Sequence, residues 1–145
     1  MRSKLLRAEP DRTWILVFGH GEAVVGKLVG FARDQAIGGG RLWGIGAFED
    51  VSLGFYRRDR KEYDRFGLEE ELEVLSLHGN LAVGDQGPRV HAHVVVGRAD
   101  GSAHGGHLFE AHVGPTLEVF VVESPQELRR EVDEDFELPL LRLDR

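Results

Sequence analysis

The chain has 145 residues, 25 of them acidic and 18 basic, for a formal charge of −7, and it contains no cysteine. Disulfides, thiolate metal sites and cysteine nucleophiles are therefore excluded, and any metal must sit on nitrogen and oxygen. An acidic chain repels nucleic acid unless its Lys and Arg gather on one surface, so average charge argues against DNA as a partner. With 41% hydrophobic residues the chain can close one core, and a single domain over residues 1–145 is expected. The first ten residues lack the apolar stretch of a signal peptide and no run approaches the ~20 residues of a membrane span, so a soluble cytoplasmic protein is expected.

Residues 13–19 form a continuous apolar run that reads as a central strand buried on both faces. Over residues 22–36 the period turns helical, with Val25, Leu28, Val29 and Ala32 on one side and Lys27, Arg33 and Asp34 on the other. Gly26 and Gly30 each weaken such a helix by about 1 kcal/mol, which suggests close packing on a sheet, and residues 38–40, all glycine, end it. That glycine run follows a helix and precedes a strand, the reverse of a phosphate loop. Residues 41–48 and 51–57 read as two strands joined at Glu49 and Asp50. Gly44 and Gly46 leave one face bare there, either for a bulky neighbour or for a ligand. Arg57, Arg58, Arg60 and Lys61 form the densest basic run, a weak candidate for nucleic-acid contact because Asp59 and Glu62 interrupt it. A solvated hairpin tip is the plainer reading.

Residues 66–71 read as an acidic linker and residues 72–81 as another strand, in which His78 shares a face with Leu72, Val74 and Ser76. Ser76 and His78 have no acid placed to orient the histidine, so a serine hydrolase is not indicated. A turn at residues 85–88 leads into the stretch that holds five of the seven histidines. His91 and His93 alternate with Val90, Ala92 and Val94, so both imidazoles project from one strand face. Asp100-Gly101 then turns the chain into a second apolar run through His107 and Leu108. A three-residue loop at residues 99–101 sets His107 opposite His93 on that face, whereas a two-residue loop at Asp100-Gly101 sets it opposite Val94 on the other face. Three imidazoles on one face would make a metal site.

Beyond Pro115, residues 117–122 read as a last strong strand. Ser124, Pro125 and Glu127 carry the pattern of a capped short helix, and residues 136–143 read as an edge strand. The sum is six to eight strands with one principal helix and few crossovers, an α+β fold with a mostly antiparallel sheet.

These residues resemble the PPC domain (plant and prokaryote conserved domain, DUF296) over roughly residues 12–123, with 124–145 left as a C-terminal short helix and edge segment. The anchors are residues 44–48, 51–56, 72–80, 88–93, 100–101, 105–108 and 115–118, taken as an ordered series. The resemblance implies a compact sheet with a packed helix, a homotrimer, and a stand-alone prokaryotic form without the Arg-Gly-Arg-Pro AT-hook of plant members. It also implies a DNA-binding or regulatory interaction module, in contact with DNA or another protein. Some family members hold zinc through paired histidines and a Gly-Gly-His, which correspond here to His91, His93 and His107.

Two classes of function follow. A trimeric regulatory or DNA-associated module requires Arg41, Arg57, Arg58, Arg60 and Lys61 to converge on one face. A zinc-dependent enzyme or small-molecule-binding protein would use His91, His93 and His107, three neutral imidazoles with one open position. It would need a general base, for which Glu110 and Glu118 are nearest in sequence, with His78 as a further accessory residue.

Overall fold

The computed structural model describes residues 1–7 and 11–143, which form nine strands and one helix. Strands β1 (Arg2–Arg7) and β2 (Thr13–Gly19) precede helix α1 (Val24–Asp34). Then come β3 (Gly39–Arg57), β4 (Glu62–Leu68), β5 (Leu72–Gly84), β6 (Gly87–Gly97) and β7 (Ala103–Glu123). The chain ends in β8 (Arg129–Asp133) and β9 (Leu138–Arg142). Pairing is antiparallel except for a single parallel bridge between Val83 of β5 and Arg129 of β8. Because β3 pairs with β5, β5 with β6, β6 with β7 and β7 again with β3, these four long strands close on themselves. Alternate residues therefore face inward, where Leu42, Leu53, Leu77, Leu81, Val94, Leu108 and Val119 belong to one buried cluster with Leu28 and Ala32 of α1. Among the described residues, no helix is long and apolar enough to cross a membrane.

The α+β, mostly antiparallel expectation is met, and the element boundaries are corrected in several places. Residues 41–57 form one strand, which runs on through Glu49-Asp50 because Asp50 and Val51 pair with His112 and Ala111 of β7. The pairing of β3 with β7 instead slips register around residues 46–50. Pro115 lies within β7, opposite that slip, where the ladder asks nothing of its missing N–H. Residues 62–68 pair with β3 as strand β4, so the expected linker over 66–71 begins inside a strand. Gly44 and Gly46 admit neither a side chain nor a ligand: a Cβ at Gly44 would lie 2.6 Å from the Glu118 carbonyl oxygen. The backbone of β7 itself occupies that space.

Helix α1 buries Val24, Leu28, Phe31 and Ala32, a face rotated from the one expected, and Trp14 of β2 meets Phe31 edge-on at 5.3 Å. Strand β2 buries Leu16 and Phe18 on one face only, rather than both faces. Gly30 has open space where its side chain would be, so the expected close packing is absent there. Ala36, at φ 52°, takes the left-handed position that ends the helix, ahead of the glycine run. Ile37 N–H donates to the Ala32 carbonyl at 2.8 Å and Ala36 N–H to that of Arg33 at 3.1 Å, the paired bonds of a Schellman ending. No helix forms over residues 124–127. Ser124 and Leu128 N–H donate to Gly39 and Gly38 carbonyls, so the segment is bent and pinned at both ends against the start of β3, and it is too short to nucleate a helix.

Candidate metal centre

The loop between β6 and β7 decides where His107 points. Arg98 N–H donates to the Ser102 carbonyl at 2.9 Å, and Gly101 N–H to that of Arg98 at 2.9 Å, with Gly101 at φ 83°. The Asp100 carboxylate accepts from both the Ser102 N–H at 2.9 Å and its hydroxyl at 2.6 Å, which locks the reversal. The tight reversal thus spans residues 99–101, and His93 pairs directly with His107. The three-residue alternative is the one adopted. On the other side of β6, Asn80 faces His91 and His78 faces His93.

His91, His93 and His107 each offer a ring nitrogen within 4.8 Å of the others, and the three rings lie 5.2–5.5 Å apart. His91 Nε2 and His93 Nε2 are 3.2 Å apart. Two nitrogens bound to one tetrahedral zinc at ~2.05 Å would be separated by about 3.3 Å, so this pair is already at ligand spacing. Burial pushes the His107 imidazole down to about 4, with His91 and His93 adding to the effect, and burial also lowers His91, so both rings stay neutral at neutral pH. His107 Nδ1 is buried without a hydrogen-bond partner, an atom that ligation would satisfy.

Arg130, from β8, is 7% exposed and stands beside this trio. Its Nη1 donates to the Pro139 carbonyl at 2.8 Å and its Nη2 to Asn80 Oδ1 at 2.5 Å. Nη2 also lies 3.3 Å from His91 Nδ1. A guanidinium has no lone pair to offer, so in this contact His91 Nδ1 accepts and the ring proton sits on Nε2.

The profile of the Plants and Prokaryotes Conserved (PCC) domain matches residues 6–125. The chain belongs to that family. Solved structures of similar chains agree with the fold. One, from Bacteroides thetaiotaomicron and provisionally named as DNA-binding, is 26% identical, covers 99% of each chain and has a TM-score of 0.90. A metal-containing protein from Archaeoglobus fulgidus is 33% identical over 98% of this chain and 97% of its own, at a TM-score of 0.85. A plant- and prokaryote-conserved protein from Pyrococcus horikoshii is 28% identical over 99% and 96%, at 0.84. Among curated proteins, no sequence matches.

The other residues singled out in the sequence sit elsewhere in this PCC domain. An extra residue at Leu75 interrupts the pairing of β5 with β6, so the face alternation inverts. His78 therefore points outward with His93, while Leu72 and Val74 are buried, and it is not one of the three clustered histidines. Glu118 is exposed and pairs with Ile45, eleven positions along β7 from His107, roughly 36 Å of strand. Glu110 is engaged otherwise: its carboxylate accepts from Val25 N–H at 2.6 Å and Gly26 N–H at 3.0 Å, at the start of α1. His112 pairs with Asp50, and His104 faces the buried Val96.

The basic run lies at the β3–β4 hairpin tip, as the plainer reading held, and acids partner it. Arg57 and Arg60 both bind Asp64, Arg60 also reaches Glu62, and Lys61 reaches Glu137 at 3.3 Å. Arg58 lies over the Phe136 ring at 5.5 Å, and Arg41 stands over Trp43 at the opposite end of β3. What sequence reasoning missed is Arg130 with Asn80, and two further arginines, Arg65 and Arg89, which line a cavity beside His91 and His107 together with Arg130. Arg89 had a legible signal, since 89, 91 and 93 share a strand face; Arg130 arrives by tertiary packing and had none.

Proposed function

We propose that this PCC-domain protein is a single-domain homotrimer that binds one zinc ion per protomer through His91, His93 and His107, leaving a fourth position for water or a small-molecule ligand. The observation that carries this reading is the convergence of three imidazole nitrogens within 4.8 Å, one pair of them at ligand spacing. The similarity to a metal-containing protein from Archaeoglobus fulgidus supports it. Zinc in such a setting would act as a Lewis acid and lower the pKa of a bound water. The chain's own contribution is to keep His107 and His91 neutral by burial, and to hold their rings on paired strands whose register cannot slip without exposing Val94. Assembly is supported by Ile45, Leu75 and Val95, apolar side chains 63%, 57% and 41% exposed on neighbouring strands β3, β5 and β6.

A regulatory, DNA-associated role in the cytoplasm is the second reading, and it rests on the provisional name of the Bacteroides thetaiotaomicron relative. DNA contact by Arg57, Arg60 or Lys61 would first require release of their carboxylate partners, which weakens this reading against the metal site. Elemental analysis of purified, untagged protein, beside the H91A/H93A double variant, tests the first reading, with mass measured on both samples. One zinc per protomer, lost in the variant while the trimer persists, is the expected result. Absence of metal from the wild type after zinc addition and desalting would overturn it.

A further inference from the structure

A cavity of about 280 Å³ opens against the histidine trio, and three arginines line it: Arg65 from β4, Arg89 from β6 and Arg130 from β8. His91, His107 and Phe109 also line it, and no Asp or Glu does. In a chain of formal charge −7, a carboxylate-free concavity with three cations is a local reversal of sign.

Elsewhere six arginines are neutralised, Arg2, Arg33, Arg41 and Arg58 being exceptions among the described residues. Arg12, Arg57, Arg60, Arg98, Arg129 and Arg142 each have a carboxylate within 4.0 Å. Among the described residues, Arg65, Arg89 and Arg130 have no such partner. For Arg130 the omission is costly, because a guanidinium only 7% exposed is held by two neutral oxygens and its Nε has no partner at all. The other two are positioned rather than loose. The Arg65 guanidinium stacks 3.7 Å from the centre of the Phe109 ring, and the stem of Arg89 occupies space that any residue larger than Gly84 would claim, since a Cβ there would lie 2.7 Å from Arg89 Cδ. Like charges kept together in this way lower stability in the absence of a ligand and favour an anion that bridges them.

We infer that this cavity is the binding site for a small anionic metabolite, bearing a carboxylate or a phosphate, whose charged group is held by Arg130, Arg89 and Arg65 beside the three histidines. The volume suits the charged end of a compact acid. Metal binding and anion binding are coupled through His91. If Nε2 of His91 becomes a ligand, its ring proton moves to Nδ1, and the 3.3 Å contact with Arg130 Nη2 then sets donor against donor. Arg130 is thereby left with a donor that an anion satisfies.

This deepens the proposed function by naming the ligand class, and it shares His91 and His107 with that reading, so the test separates the two. Calorimetric titrations of the full chain with inorganic phosphate and with malonate are run on zinc-free and zinc-loaded protein, beside R65Q and R89Q, whose surface positions leave folding intact. R130M serves as a third variant, with its folding checked by circular dichroism. Saturable binding of one probe, weakened about tenfold or more by R89Q and by R65Q, is expected. Phosphate-selective or malonate-selective heat identifies which acid group the cavity prefers. Anion binding without stoichiometric zinc would sustain this inference and defeat the metal reading. Zinc uptake with no heat from either probe at about 10 mM would defeat this inference and leave the metal reading standing. Binding that needs zinc and ignores both arginine substitutions would also overturn it, because the anion would then be a ligand of the metal alone.

Discussion

Helix α1 begins without a capping side chain of its own, since its N-cap is Ala23, and Glu110 from β7 supplies what is missing. The Glu110 carboxylate accepts Val25 N–H at 2.6 Å and Gly26 N–H at 3.0 Å, two of the donors that a helix start leaves unpaired. Loss of a capping acceptor costs about 1–2 kcal/mol, and loss of a negative charge at the positive end of the helix a further ~0.5 kcal/mol. E110A should therefore lower stability by about 2 kcal/mol. E110Q, which keeps one acceptor oxygen but no charge, should lower it by about 1 kcal/mol. In a chain of this size that corresponds to a fall in Tm of roughly 4–8 °C and 2–4 °C respectively. Urea denaturation of each variant at one fixed protomer concentration, with zinc bound and with zinc removed, provides the measurement. Were Glu110 instead the base of a zinc-activated water, E110Q would leave stability within 0.5 kcal/mol of wild type. That outcome would refute the capping role and return Glu110 to the candidate catalytic residues.

Three substitutions probe backbone geometry, two expected to stabilise and one to destabilise. A36G relieves an alanine held at φ 52° and should stabilise the fold by about 0.5–1 kcal/mol in the same denaturation assay. G30A, in open space on α1, should also stabilise, by about 0.5–1 kcal/mol. G44A, by contrast, would put a methyl 2.6 Å from the Glu118 carbonyl oxygen, and should cost about 2–3 kcal/mol or prevent soluble expression. The Asp50 carboxylate, 2.9 Å from His112 Nδ1, raises the imidazole above its ordinary value. The pair therefore stabilises the fold below pH 6.5, and that contribution disappears as pH rises through the folded-state value. In an NMR titration of the imidazole protons, D50N should shift the His112 midpoint downward; an unchanged midpoint would remove Asp50 as the cause.

Local patterning carried much of the fold because one face of each long strand is buried and the other is not. The alternation of His91, His93 and Val90, Ala92, Val94 survives intact in β6, so the sequence located two of the three clustered histidines and reduced the third to a question of loop length. Alternation failed where an extra residue was inserted. Leu75 inverts the faces of β5, and no feature of residues 72–81 announces a bulge there. Helix and strand ends were misplaced where tertiary hydrogen bonds overrode a local signal, as at residues 124–127 and across Pro115. The glycines at 44 and 46 were read correctly as side-chain-free, but what fills the space is another strand's backbone, which depends on closure of β3 with β7. Arg130 shows the limit most clearly: its importance lies in being buried without a carboxylate, a property of the packed protein rather than of the segment that carries it.

X-ray absorption at the zinc edge, on protein loaded with one equivalent of zinc, tests the central claim most directly. Three imidazole nitrogens and one further light atom at about 2.0 Å are predicted, falling to two imidazoles in H107A. A six-coordinate oxygen shell, or a spectrum unchanged by H107A, would contradict the assignment of His91, His93 and His107 as the metal ligands.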